Sequence, residues 1–200
     1  MDNPEEMDVA RLERALQRVG ELLEAGGREY AITIIGGAAL SLHGWIHRTT
    51  DDADILTFAT SSEEHDLREA PDPLPLPLQE AIETVSRDLG LKRGWLNRGP
   101  ARQWRTGLPP GFAERVSWRR YGGLQVGLAG RIDLIALKLF AEVDRGNLTS
   151  RGLDQNDLVQ LTPTKDELAW AAKWVKTQDA GPQFPEMVEK VVTNVERELR

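Results

Sequence analysis

Residues 36–54 read Gly36-Gly37-Ala-Ala-Leu-Ser-Leu-His-Gly-Trp-Ile-His-Arg48-Thr49-Thr50-Asp51-Asp52-Ala53-Asp54. A glycine pair, a short helical run, a polar Arg-Thr-Thr loop and two carboxylates at i, i+2 follow one another. The run before it, Tyr30 to Ile35, is β-branched and predicts a strand. Glycines directly after a strand let a helix begin close to a ligand, with free N–H groups facing a phosphate. Asp54-Ile55-Leu56-Thr57-Phe58 predicts a second strand. Residues two apart on a strand share a face, so Asp52 and Asp54 are expected to project together.

That pair has an energetic consequence. Two carboxylates roughly 6–7 Å apart repel by on the order of 3 kcal/mol at an effective dielectric of about 20. A partly buried strand carries that cost only with a cation or a base nearby. Mg²⁺ (or Mn²⁺) relieves it, because Mg²⁺ takes oxygen ligands from one or two carboxylates together with substrate phosphates. Arg48 can meet phosphate oxygens with a bidentate fork, and the Thr50 hydroxyl can donate to another.

Gly36-Gly37, Arg48, Thr50, Asp52 and Asp54 resemble the Gly-Gly/Ser, then Arg-x-Ser/Thr-x-Asp-x-Asp signature of the polymerase-beta-like nucleotidyltransferase superfamily. The similarity points to the branch of abortive-infection type nucleotidyltransferase toxins and their uncharacterised bacterial relatives. A second block is similar to that branch as well: Arg131 to Arg145, then Asp154-Gln155-Asn156-Asp157-Leu158. The resemblance covers roughly residues 30–165. It implies a Mg²⁺-dependent transfer of a nucleoside monophosphate from a nucleoside triphosphate to an acceptor hydroxyl of RNA, a protein or a small molecule. It also implies toxin–antitoxin pairing, with an antitoxin protein as a partner. Metal would be held by Asp52 and Asp54, and the triphosphate by Gly36, Gly37, Arg48 and Thr50. Lys138 would neutralise phosphate charge, and Asp157 would orient Lys138 or help deprotonate the acceptor.

The second block also reads on its own chemistry. Ile132, Ile135, Ala136, Leu139, Phe140 and Val143 mark one face of an amphipathic helix, which Leu134 and Leu137 widen. Lys138 stands in the middle of it and either snorkels past its neighbours or points into a polar site. Asp154 and Asp157 share a face one turn apart; Asp154 can also serve as a helix cap. The pattern departs from the superfamily in one respect. Its usual third carboxylate belongs on a later strand, and Gly123–Leu128 carries Gln125 and no acid. A degenerate, non-catalytic nucleotide- or partner-binding protein, or the antitoxin-like member of a pair, stays open as an alternative.

Two hundred residues and ordinary hydrophobic (40%) and charged (28%) fractions fit one compact soluble domain. No run approaches the roughly 20 apolar residues of a membrane span, and the N-terminus has no signal-peptide pattern, so no membrane partner and a cytoplasmic location are expected. Without cysteine, disulfides and thiolate-ligated zinc are excluded. A net charge of −7 argues against general DNA binding. One local basic stretch contains Arg93, Arg98, Arg102, Arg105, Arg115, Arg119 and Arg120 with Trp95, Trp104 and Trp118. It reads as a solvated hairpin with aromatic anchors, or as a stacking surface for single-stranded RNA.

The expected fold is α/β (α+β): a nucleotidyltransferase fold with a short mixed β-sheet flanked by helices and a C-terminal helical cap. The expected divisions are an N-terminal helix (1–29, with Val9–Glu24 helical), a core (30–160) and C-terminal helices (161–200). Ser61–Pro77 reads as a proline-rich linker or lid, with residues 71–77 at its centre, and Leu78–Leu89 as a helix ending at Gly90. Strands are expected around Lys92–Leu96, Ala113–Arg120 and Leu124–Leu128. Thr164-Lys-Asp-Glu167 reads as a capping box opening a helix over Leu168–Lys176, and Pro185–Leu199 as the last helix. His43 and His47 stand at i, i+4, but Gly44 breaks their helix and no third ligand is in sight. Trp170 and Trp174, also at i, i+4, read as core packing.

Overall fold

The computed structural model describes residues 6–59, 66–145 and 153–200. Its architecture is mixed α/β: among the described residues, a six-stranded mixed sheet and eight α-helices. Contacts divide the chain into two compact units, up to Ala129 and from Gly130 onward. No helix among the described residues is long and apolar enough to cross a membrane.

In the first unit, Asp8 caps helix α1 (Val9–Ala25) by accepting the Arg11 N–H at 2.7 Å. Leu12, Leu16, Val19 and Leu23 recur at helical spacing and are buried. Strand β1 (Tyr30–Ile35) runs into helix α2 (Gly36–Leu42), and β2 (Ala53–Ala59) returns antiparallel to β1. Strand β3 (Leu67–Glu69), helix α3 (Leu76–Leu89), β4 (Leu96–Asn97) and a short α4 (Arg102–Thr106) follow. The hairpin of β5 (Ser117–Tyr121) and β6 (Leu124–Leu128) completes the order β3-β2-β1-β6-β5, with β4 pairing β2. The pairs β1–β6 and β2–β4 are parallel.

Several boundaries differ from the sequence expectation. Residues 67–69 of the expected linker form an edge strand on β2, and α3 starts at Leu76, with a proline in its first turn. The linker's first residues, 61–65, lie outside the described residues. Ala113–Arg115 is a 3₁₀ turn, so the strand expected there is confined to Ser117–Tyr121. The strand expected over Lys92–Leu96 is only Leu96–Asn97.

Helix α1 crosses the β5–β6 turn at backbone distance. Gly20 accepts the Gly123 N–H at 3.0 Å, and a Cβ at Gly20 would lie 1.5 Å from the Tyr121 carbonyl oxygen. Backbone on both sides leaves nothing flexible to give way. Gly20→Ala is therefore expected to destabilise by about 3 kcal/mol, the upper part of the overpacking range. Thermal unfolding should show a midpoint about 6–12 °C lower at this chain length; an unchanged midpoint would contradict that contact.

The second unit consists of α5 (Arg131–Arg145), α6 (Leu153–Leu161), α7 (Lys165–Val175) and α8 (Phe184–Glu198). Helix α5 packs against the other three. Phe140 meets Trp174 and Phe184 edge-on at 6.3 and 6.4 Å. The capping box is present: Thr164 accepts the Glu167 N–H, and Glu167 accepts the Thr164 N–H. It opens α7 at Lys165, one turn before the expected start.

Candidate functional site

The junction of β1 with α2 gathers four of the residues singled out above. Gly36 is the first residue of α2 and has φ +75°, a conformation glycine adopts without strain. Antiparallel register sets Ile35 opposite Asp54. A Cβ at Gly36 would lie 3.1 Å from Asp54 Oδ2, so the glycine leaves room for that carboxylate. A Cβ at Gly37 would lie 2.5 Å from Arg48 Nη2 and 3.1 Å from Cζ. The two glycines thus give Asp54 and Arg48 close approach to one stretch of backbone.

The loop that delivers Arg48 and the carboxylates is pinned at several points. Met7 and Thr50 form an isolated antiparallel bridge, with Met7 N–H to Thr50 O at 2.8 Å and Thr50 N–H to Met7 O at 2.9 Å. The Thr49 hydroxyl donates to Glu6 at 2.6 Å. Arg48 Nη1 donates to the Thr49 carbonyl at 2.9 Å, and Ser41 Oγ to the Arg48 carbonyl at 3.4 Å. Thr50 is buried, and its hydroxyl donates to the Asp52 carbonyl at 2.9 Å. In this structure Thr50 therefore shapes the turn that presents Asp52.

Asp52 immediately precedes β2 and Asp54 lies within it; both are half-buried. Ala53 between them is in the ladder, donating its N–H to Trp95 O at 2.5 Å and pairing with Leu96. Extended backbone through Ala53 sends the carboxylates of 52 and 54 to the same side. Among the described residues no three His, Cys, Asp or Glu side chains converge as a metal site. Two carboxylates are oxygen ligands of the type Mg²⁺ takes together with substrate phosphates.

His43 is the residue that closes α2. Helix α2 ends at Leu42, and the His43 ring stacks on Trp45 at 3.9 Å and 7°. His43 Nε2 lies 3.0 Å from the Ala129 carbonyl oxygen, to which it donates. Burial, with the Arg119 charge adding to it, pushes the imidazole pKa below its usual value despite that carbonyl.

The basic stretch is largely neutralised by acids of its own unit. Arg98 pairs with Asp72 at 2.5 Å, Arg105 with Glu69 at 2.9 Å, Arg119 with Glu13 at 3.1 Å and Arg120 with Glu29 at 2.7 Å. Arg115 donates to the Pro110 carbonyl, and the Arg102 side chain lies outside the described residues. Trp95 is fully buried, its indole N–H donating to Ile82 O at 3.4 Å. Trp104 and Trp118 are half-buried.

The second unit holds a charged cluster of its own. Lys138 is 8% exposed and donates through Nζ to Asp154 Oδ1 at 2.6 Å; Asp157 Oδ2 lies at 2.7 Å. Lys138 does not snorkel to the surface, its Nζ being held between the two aspartates. Asp154 is also no cap, since α6 opens one residue earlier and turns this carboxylate, 3% exposed, onto the lysine. Asp154 was absent from the expected site. Its signal was the i, i+3 carboxylate pair that could answer a lone lysine on an apolar helix. Asp133, in the first turn of α5, is fully buried as well.

Compared with family models, curated proteins and solved structures, the chain matches none.

Proposed function

We propose that the chain is a nucleotidyltransferase of the polymerase-beta-like type, with the fold that this implies. It moves a nucleoside monophosphate from a nucleoside triphosphate to an acceptor hydroxyl. The observation that carries this is the convergence of Gly36, Gly37, Arg48 and Asp54 at the β1–α2 junction, with Asp52 on the same side as Asp54. Carboxylates, a guanidinium and bare backbone in one place suit a metal–triphosphate ligand.

Asp52 and Asp54 would hold Mg²⁺ or Mn²⁺, which would supply positive charge against the phosphate charge that builds as pyrophosphate departs. The glycines admit the phosphates to the backbone at the start of α2, and Arg48 takes phosphate oxygens through its fork. Thr50 braces the turn that carries Asp52. In the reaction the acceptor hydroxyl gives its proton to a carboxylate or to water, its oxygen bonds to the α-phosphorus, the bond from that phosphorus to the bridging oxygen breaks, and pyrophosphate leaves with the electron pair. The sequence resemblance gives Lys138 the role of neutralising phosphate charge and Asp157 that of orienting Lys138 or helping to deprotonate the acceptor; within the second unit Lys138 is paired with both Asp154 and Asp157.

A thermal-shift series with Mg²⁺ and each of the four nucleoside triphosphates tests this. A ligand at about 100 times its dissociation constant stabilises by roughly 2.7 kcal/mol, a rise of about 5–10 °C at this chain length. One triphosphate should produce that rise only with Mg²⁺ present; no rise with any of them would contradict the assignment. A second reading, binding without transfer, is favoured by one observation: β6 carries Gln125 and no acid where a general base is expected. Pyrophosphate release from the bound triphosphate separates the two.

A further inference from the structure

Strand β4 is only two residues long, yet it places a polar side chain beside the metal-binding carboxylate. In the parallel β2–β4 pairing Asn97 is in register with Asp54, and Leu96 with Ala53. Registered residues of neighbouring strands present their side chains to one face, about 5 Å apart. Asp54 therefore has Ile35 and the Gly36 backbone on one flank and Asn97 on the other. Asn97 is half-buried, which leaves its end accessible.

The Asn97 amide is oriented by a backbone group. Gly99 N–H donates to Asn97 Oδ1 at 2.6 Å. A donor must meet the oxygen, so this bond fixes which end of the amide is which. Nδ2 then presents its two hydrogens away from that turn, and it donates to no described residue. A fixed donor that its own chain does not use, beside a carboxylate on the same face, is arranged for an acceptor supplied from outside.

Resting on the nucleotide-site reading above, we propose that Asn97 is a substrate-binding residue. Its Nδ2 donates to a phosphate oxygen of the triphosphate held at Asp52 and Asp54, while Gly99 holds Oδ1. The requirement is for an amide: an oxygen end to be held and a nitrogen end to donate.

Two variants test this. Asn97→Asp keeps an acceptor for the Gly99 N–H and exchanges the donor for a charged oxygen. Asn97→Ser keeps a shorter acceptor there and removes the amide without adding charge. Each is titrated with the triphosphate that shifts the wild-type protein, in Mg²⁺, and each is unfolded thermally without ligand. The expected result is a dissociation constant about tenfold weaker for Asn97→Ser. For Asn97→Asp it should be weaker still, with part of the loss recovered at higher Mg²⁺ because the new carboxylate recruits the cation. The ligand-free midpoint of Asn97→Asp should stay close to wild type. If both variants bind as wild type does, Asn97 only supports the turn and the inference is overturned. Absence of binding by the wild-type protein is a different outcome, which removes the nucleotide site and this role with it.

Discussion

Lys138→Met is expected to lower the thermal midpoint by about 6–20 °C, the consequence of losing roughly 3–5 kcal/mol from a buried ion pair. The aspartate side chains that meet Lys138 Nζ at 2.6 and 2.7 Å are 5% and 0% exposed. Methionine matches the stem of lysine in length, so little packing is lost. What changes is that two buried carboxylates lose their shared counter-charge. One further result separates that cause from a cavity. Replacing the trio together, as Lys138→Met/Asp154→Leu/Asp157→Leu, should recover much of the stability, because apolar replacements of a whole buried pair are often neutral. Scanning calorimetry on these variants checks both points; an unshifted midpoint for Lys138→Met would show that the cluster is not stabilised as described.

Asp52→Asn and Asp54→Asn are each expected to cut transfer by about 10³-fold or more, the several kcal/mol of charge stabilisation a metal ion supplies at departing phosphate. Asparagine keeps the shape of each side chain and removes its charge. Both positions are half-exposed, so a loss of stability beyond about 1 kcal/mol is not expected. Loss of turnover at an intact midpoint is thus the signature of these two residues. Pyrophosphate release with labelled triphosphate measures it, and full turnover by Asp52→Asn would end the assignment.

Much of the first unit was legible because local signals and tertiary structure agree there. Tyr30–Ile35 is apolar and β-branched and forms β1 over those six residues. Glycines at 26, 36 and 90 stand where helices close or open, and all three boundaries fall there. The Arg48, Asp52 and Asp54 spacing told which side chains to watch, but the contacts of Gly36 with Asp54 and Gly37 with Arg48 needed the fold.

What was hidden depends on partners distant in sequence. Strand β3, Leu67-Arg68-Glu69, has no apolar alternation, and its ladder to β2 is what makes it a strand. Strand β4 is two residues whose significance is register with Ala53 and Asp54, so Asn97 carried no local signal. Asp154 looked like a cap because caps are the commonest use of an aspartate near a helix start. A one-residue shift of the start of α6 gives it to Lys138 instead. The Thr50 bond is local by contrast, its hydroxyl donating to the Asp52 carbonyl two residues on.

The central claim is that Asp52 and Asp54 form the metal–triphosphate site. Calorimetric titration of Mg²⁺ with a nucleoside triphosphate into the wild-type protein and into Asp52→Asn/Asp54→Asn tests it most directly. Saturable, Mg²⁺-dependent binding in the wild type that disappears in the double variant is the predicted result. Binding of equal strength in both proteins, or binding indifferent to Mg²⁺, would contradict it.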